Sequence, residues 1–160
     1  MFTLLTFDVG GSKLRIGVSH DGKKLAATAV HPTPKRFADG IRLFRSVGNE
    51  LRQGKKITSI AGGIAGPLDA KKTMLVNSPH VRGWIRKPLV KELQKTFQCP
   101  VTLGNDSELC GLGEAHFGAG RGSSIFAYIT VSTGVGGARI VYGKIDRSAM
   151  GFAPGHQVID

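Results

Sequence analysis

Cysteine, proline and acidic side chains are all scarce in this sequence of 160 residues. Its two cysteines, Cys99 and Cys110, form no C-x-x-C pair, which argues against a disulfide framework and against a zinc knuckle; both are expected to be reduced core thiols. With only 7 Pro and no low-complexity stretch, a proline-rich linker is excluded, and a hydrophobic share of 41% excludes a disordered chain. No apolar run approaches the roughly 18 residues of a membrane-spanning helix. Met1 leads within a few residues into a strand-like segment rather than a basic region followed by a leader core, so a cytoplasmic location is expected, with no membrane partner.

The shortage of acid leaves a formal net charge of +11, with 22 Lys and Arg against 11 Asp and Glu. The excess is uneven. Residues 1–98 hold 18 basic against 6 acidic side chains, whereas residues 99–160 hold 4 against 5. Such a surface attracts phosphate-rich partners, among them nucleotides and polyphosphate, although solubility alone also accounts for it. Lys23-Lys24, Lys35-Arg36, Lys55-Lys56 and Lys71-Lys72 fall at expected turns or element ends without interleaved aromatics. That pattern argues against nucleic acid.

Glycine, with 23 residues, is what the chain has in abundance. Residues 2–9 are apolar and β-rich, stop at Gly10-Gly11, and resume at 14–19, which reads as a β-hairpin. Asp21-Gly22, a pair suited to turns with positive φ, leads to a third strand at about 25–31. Phe37, Ile41, Phe44, Val47 and Leu51 recur at helical spacing and predict an amphipathic helix ending near Gly54. A buried strand follows at 57–65, stopped by Gly66-Pro67. Pro88 opens a second helix with a Leu89, Leu93 and Phe97 stripe, closed by Pro100; a short strand at 101–103 and a helix from Asp106 to about Phe117 come next. The order is βββαβαβα. Beyond the loop 118–122, segments 125–131 and 137–142 repeat the opening arrangement of strand, glycine turn and strand.

Three constellations carry chemistry. In DVGGSKLRIG, Gly10 and Gly11 let backbone amides approach a phosphate, Ser12 and Lys13 add a hydroxyl and a charge, and Asp8 can hold a magnesium-bound water; an ordinary glycine hairpin is the other reading. In TVSTGVGGARI, Thr133, Gly134, Gly136 and Gly137 repeat that design with no helix following, which disfavours a dinucleotide-binding unit. Two such loops suit two lobes gripping one nucleotide. Between them, Asp106 follows a strand and opens a helix, where a carboxylate can take a proton from an attacking hydroxyl while Asn105 hydrogen-bonds its neighbours. A plain helix N-cap at Asp106 is compatible with that role.

With these motifs in order, the chain resembles the ROK family of sugar kinases, within the actin-like ATPase superfamily. The resemblance rests on D-x-G-G-[ST]-K at Asp8–Lys13, G-x-x-G-P-[LV]-D at Gly63–Asp69, N-x-P and Trp at Asn77–Trp84, the Asn-Asp to Gly-Glu stretch at Leu103–Glu114, and T-x-x-T-G-x-G-G at Thr130–Gly137. It implies a ribonuclease H-like α/β lobe of mixed sheet over residues 1–118 and the opening strands of a second lobe over 119–160. It further implies transfer of phosphate from ATP, with Mg2+, to a hexose or amino sugar. Asp106 would be the base and Asn105 a hydroxyl ligand. Gly66 and Asn77 would lie near the sugar, both glycine loops on the phosphates, and Trp84 either along the sugar side of the cleft or in the core.

The family motif G-x-x-x-E-x-G-H meets GFAPGHQVID here: His156 aligns, as a sugar and zinc ligand, but Ala153 replaces the glutamate. The family's cysteine cluster is absent, so zinc is not expected, since His156 alone makes no zinc site. The rest of the second lobe is missing too, which implies activity only with that lobe present, and an open-edged hairpin at 125–145 that associates with itself or a partner. A silent sugar sensor or scaffold is the alternative. A DNA-binding repressor is disfavoured by the seven residues before Asp8, and an actin- or chaperone-like ATPase by the N-x-P, Trp and Asn-Asp elements.

Overall fold

A five-stranded mixed sheet organises the first part of the chain. The computed structural model describes residues 2–131, 135–146, 152 and 154–156, the last by its backbone. The chain divides into two compact units, residues 1–106 and 107–160, where the sequence motifs place the lobe boundary after residue 118. No described helix is long and apolar enough to cross a membrane.

In the first unit β1 (Leu4–Val9), β2 (Lys13–Ser19), β3 (Ala27–Pro32), β4 (Ser59–Ile64) and β5 (Val101–Asn105) lie in the order β3-β2-β1-β4-β5. The pairs β1–β2 and β2–β3 are antiparallel, and β1–β4 and β4–β5 parallel. Side chains alternate across such a sheet. Leu5, Phe7 and Val9 share a buried face with Leu14, Ile16, Val18, Ile60, Ile64 and Leu103. Helices α1 (Phe37–Leu51) and α2 (Leu89–Phe97) supply Phe44, Val47, Leu89 and Leu93 to the same core. Their apolar stripes are the ones legible from spacing.

Three details differ from expectation, and a fourth, at Trp84, decides between the two places open to it. Between β2 and β3 the chain makes a longer loop in which only Gly22 has positive φ, while the Asp21 carboxylate accepts from the amides of Lys23 (2.8 Å) and Lys24 (2.9 Å). Asp21 is thus an Asx-type cap rather than half of a two-residue hairpin turn. α2 is closed by Gln98 in the left-handed conformation, its N–H donating to the Gln94 carbonyl at 2.8 Å, before Pro100 is reached. Cys99 is half-buried against the core as expected, but Cys110 is exposed: the helix it lies on, spanning Asp106–Phe117, turns it away from Gly111, the residue buried beside it. Trp84 is core, 1% exposed, with Phe37 and Phe44 against its ring in edge-to-face contact. Its Nε1–H donates to the Pro34 carbonyl at 2.8 Å, satisfying the one polar atom that burial would otherwise strand.

Helix α3 (Asp106–Phe117) begins at the unit boundary. The second unit adds β6 (Ile125–Val131), β7 (Val135–Val141) and β8 (Lys144–Ile145), antiparallel throughout. Gly111 lets α3 lie close on this sheet, for a Cβ there would sit 2.7 Å from that of Ala138. On the opposite face Ile125, Ile129, Val131 and Val135 are exposed. β7 starts two residues earlier than its apolar pattern suggested, so Gly136 and Gly137 pair with Thr130 and Ile129 in the ladder instead of forming the turn. Close neighbours explain both glycines: a Cβ on Gly136 would meet Ser107 Oγ at 2.5 Å, and one on Gly137 the Tyr128 carbonyl at 2.6 Å.

Candidate functional site

Parallel pairing sets Val9, Ile64 and Asn105 side by side, at the carboxyl ends of β1, β4 and β5. The residues just past each strand therefore emerge along one edge: Gly10-Gly11 after β1, Ala65-Gly66 after β4 and Asp106 after β5. This is the edge at which open α/β sheets bind ligands. One residue back, a cross-strand row on the face opposite the core reads Val30, Arg15, Asp8, Gly63 and Gly104. Asp8 thus has Arg15 on one side and, on the other, two positions without side chains.

Arg15 Nη1 donates to Asp8 Oδ2 at 2.8 Å, both side chains being about half exposed. The sequence motifs left Arg15 out. Counting outward from the tip Gly11-Ser12 places it opposite Asp8, and that count is the signal that would have found it.

The first glycine turn is tight: Gly10 N–H donates to the Lys13 carbonyl at 3.0 Å, with Gly11, Ser12 and Lys13 exposed. Neither glycine has positive φ, contrary to the conformational argument for them. At Gly11 the need is steric, and at Gly10 the space is merely tight. A Cβ on Gly11 would lie 2.7 Å from that of His80, and one on Gly10 3.3 Å from the Lys13 carbonyl oxygen. Thr33, also outside the motifs, braces the turn from β3: its hydroxyl donates to the Gly10 carbonyl at 2.7 Å and its N–H to the Ser12 carbonyl at 3.0 Å.

Gly66 is the position where backbone conformation does demand glycine, at φ +136°, and a Cβ there would stand 2.5 Å from the Asn77 carbonyl oxygen. Asn77 is exposed beside it, held by buried Ser78, whose Oγ accepts from the amides of His80 (3.3 Å) and Val81 (3.2 Å). Asn105 Nδ2 donates to the Gly66 carbonyl at 3.0 Å. Asp106, half-buried, is the first residue of α3, which puts Asn105 rather than Asp106 in the position preceding the helix. Asp69, which closes the central motif, ties a turn: Oδ1 accepts from the amides of Thr73 (2.6 Å) and Met74 (2.7 Å), and Oδ2 from the Thr73 hydroxyl (2.9 Å). Burial alone would raise its carboxyl, but these bonds, from Met74 and Thr73, outweigh it and hold it below its ordinary value.

Asp8, Gly10, Gly11, Ser12, Lys13, Gly66, Asn77, Asn105 and Asp106 thus gather at one edge of the first unit. Gly136 and Gly137 belong to the second. Thr133, Gly134, Ala153 and the side chain of His156 lie outside the described residues. Among the described residues no three His, Cys, Asp or Glu side chains cluster as a metal site.

A family model described as "ROK family" matches residues 4–160. The chain is 29% identical over 146 residues to a glucokinase of Streptomyces coelicolor, covering 91% of this chain and 46% of the relative. To a glucokinase of Thermotoga maritima it is 32% identical over 161 residues, covering 98% and 51%. A xylose repressor of Caldicellulosiruptor bescii is 30% identical over 118 residues, 72% of this chain and 29% of the repressor. Among solved structures, a ROK family glucokinase from Streptomyces griseus in complex with glucose and AMPPNP superposes with a TM-score of 0.81 at 27% identity, covering 91% of this chain and 46% of that one. An inorganic polyphosphate/ATP-glucomannokinase from Arthrobacter sp. strain KM gives 0.79 at 26%, covering 100% and 65%. The chain spans about half the length of the curated glucokinases it matches.

Proposed function

The chain belongs to the ROK family, and from that premise we propose that it carries the catalytic carboxylate and the first phosphate loop of a kinase that phosphorylates a hexose or amino sugar from ATP. One observation carries the reading: Asn105 ends a parallel strand, with Asp106 next in the chain, in register with the strands that lead into Gly10-Gly11 and Gly66. Asp106 accepts the proton of a sugar hydroxyl as that oxygen attacks the γ-phosphorus. The new O–P bond forms while the bond to the bridging oxygen breaks, and ADP leaves. Asn105, Asn77, the Gly66 backbone and His156 border the sugar. Gly10, Gly11, Ser12 and Lys13 receive phosphate oxygens, with Thr133, Gly134, Gly136 and Gly137 as the second loop.

Magnesium keeps several waters and takes other ligands from the phosphates, so a single carboxylate suits it. Asp8, beside Gly63, would hold one such water, and the ion when bound neutralises phosphate charge. A zinc ion needs three or four protein ligands, which the described residues do not bring together, and none is proposed. Polyphosphate stands beside ATP as donor, as in the Arthrobacter neighbour. A cytoplasmic location is part of this reading, and so is a requirement for second-lobe residues beyond those in this sequence.

Sugar-dependent ADP formation in wild type and Asp106→Ala, each with the second-lobe residues present and the wild type active, tests it. The expected fall is roughly 10²–10⁴-fold, the usual contribution of a positioned acid or base; equal rates would remove Asp106 as the base. A second reading, a sugar sensor without turnover, draws on the likeness to the xylose repressor. Calorimetry with glucose and with ATP separates the two, sugar heat without nucleotide heat favouring the sensor.

A further inference from the structure

Three segments meet around the first glycine turn, and none of them contains a carboxylate. They are residues 10–15 (GGSKLR), 31–36 (HPTPKR) and 77–84 (NSPHVRGW). Thr33 bonds the Gly10 and Ser12 carbonyls, at 2.7 and 3.0 Å. The Cβ of His80 stands against Gly11. The Lys35 carbonyl packs on Gly83, and Trp84 Nε1 reaches the Pro34 carbonyl at 2.8 Å. Folding thereby draws Lys13, Lys35, Arg36 and Arg82 to one rim, all four exposed and none in an ion pair among the described residues. Arg15, the remaining basic residue there besides the histidines, is held by Asp8.

Four exposed cations with no carboxylate partner among the described residues sum to a positive potential along the rim, which attracts a polyanion. The rim begins at the tip that faces phosphate in the proposed function, on which this inference rests. It continues past that tip along residues 33–36, which at up to ~3.5 Å per residue is farther than one phosphoryl group needs. Its occupant should therefore be a chain of phosphates. A nucleic acid would also want exposed rings on which bases stack. In these segments the Trp84 indole is 1% exposed, leaving only the imidazoles of His31 and His80, and exposed Phe2, Phe117 and Tyr142 lie elsewhere in the sequence.

We infer that Lys13, Lys35, Arg36 and Arg82 form a docking rim for inorganic polyphosphate, whose terminal unit sits on the glycine turn. In transfer from such a donor the sugar oxygen bonds to the terminal phosphorus and the phosphoanhydride bond breaks. The sugar proton passes to Asp106, and the polyphosphate leaves one unit shorter.

The test is titration of the full chain with tripolyphosphate, long-chain polyphosphate, ATP and a single-stranded oligonucleotide matched in charge to the long chain. Variants are Lys35→Gln/Arg36→Gln/Arg82→Gln and, as control, Lys23→Gln/Lys24→Gln in the loop at the other end of β2. The three-site variant should bind the long chain at least about tenfold more weakly, its salt dependence flattened by roughly 0.7 per cation removed. ATP affinity should change less than about twofold, and the control should match wild type. Each single substitution should show part of the loss, so a misfolded triple variant does not decide the matter. Unchanged long-chain binding overturns the rim. So does an equal loss in the control, or an oligonucleotide that binds as tightly as the long chain. These are binding readouts: absence of sugar phosphorylation with second-lobe residues supplied, alongside the expected losses, refutes the kinase reading alone, while phosphorylation from ATP with unaltered rim variants refutes the rim alone.

Discussion

Asn105 Nδ2 donates to the carbonyl of Gly66 at 3.0 Å, fastening the end of β5 to the turn that leaves β4. The bond holds the segment before Asp106 at a set distance from the Gly66–Asn77 loop. A residue proposed to bind substrate is therefore also a strut of the site. Asn105→Ala should lower unfolding free energy by about 1 kcal/mol, the net worth of a hydrogen bond in part-buried surroundings, as read from urea denaturation. Gly66→Ala should cost more, roughly 1–3 kcal/mol, because φ +136° is a region closed to other residues and the added carbon would strike the Asn77 carbonyl. A Gly66→Ala protein as stable as wild type would show that this turn is not needed in its present form.

Gly40 lies within α1, with the Trp84 ring where its Cβ would be. In an exposed helix Gly→Ala stabilises by about 1 kcal/mol. Here the sign should reverse, with Gly40→Ala destabilising by roughly 1–3 kcal/mol through overpacking. Pairing it with Trp84→Phe, which removes the ring atoms nearest Gly40, should recover part of the loss, so that the two changes are non-additive in a double-mutant cycle. Additive energies would mean that the ring does not set the requirement for glycine.

Asp69 predicts a pH effect with a definite sign. Its carboxyl titrates in the fold below its ordinary value of 3.8, so as pH falls the unfolded chain takes up that proton first. The stabilisation from its bonds to Thr73 and Met74 is complete above pH ~4–5 and is lost as pH drops through the folded value. Asp69→Asn should melt at lower temperature than wild type near neutral pH, and the gap should narrow in acid. A gap that widened on acidification would contradict the assignment.

The cysteines should differ in reactivity. Cys110 is exposed, whereas burial pushes the Cys99 thiol up, only partly offset by the charge of Lys56. Thiolate is the nucleophile. In alkylation followed by peptide mass analysis, Cys110 should label first near pH 8, and the Cys99 rate should still be climbing at pH values where an ordinary thiol has levelled off. Faster labelling of Cys99 would place it outside the core.

Sequence alone determined β1 to β6, the three α-helices and the order of the motifs, because each rests on neighbours within a few residues: alternation in β1 and β2, the Phe37–Leu51 stripe, Pro88 ahead of α2, Asn105-Asp106 between strand and helix; the start of β7 and the two-residue β8 were not legible there. Tertiary structure decided what those residues touch. Gly11 is glycine because of His80, Gly40 because of Trp84, and Gly66 because its own φ and the Asn77 carbonyl leave no room for a side chain. Asp8 meets Arg15 through strand register, and Lys13 joins Lys35 and Arg82 only once three distant segments close on one another. Local periodicity records which face of an element avoids water; it carries no record of which remote segment covers that face, and steric need and charge pairing both arise from that packing.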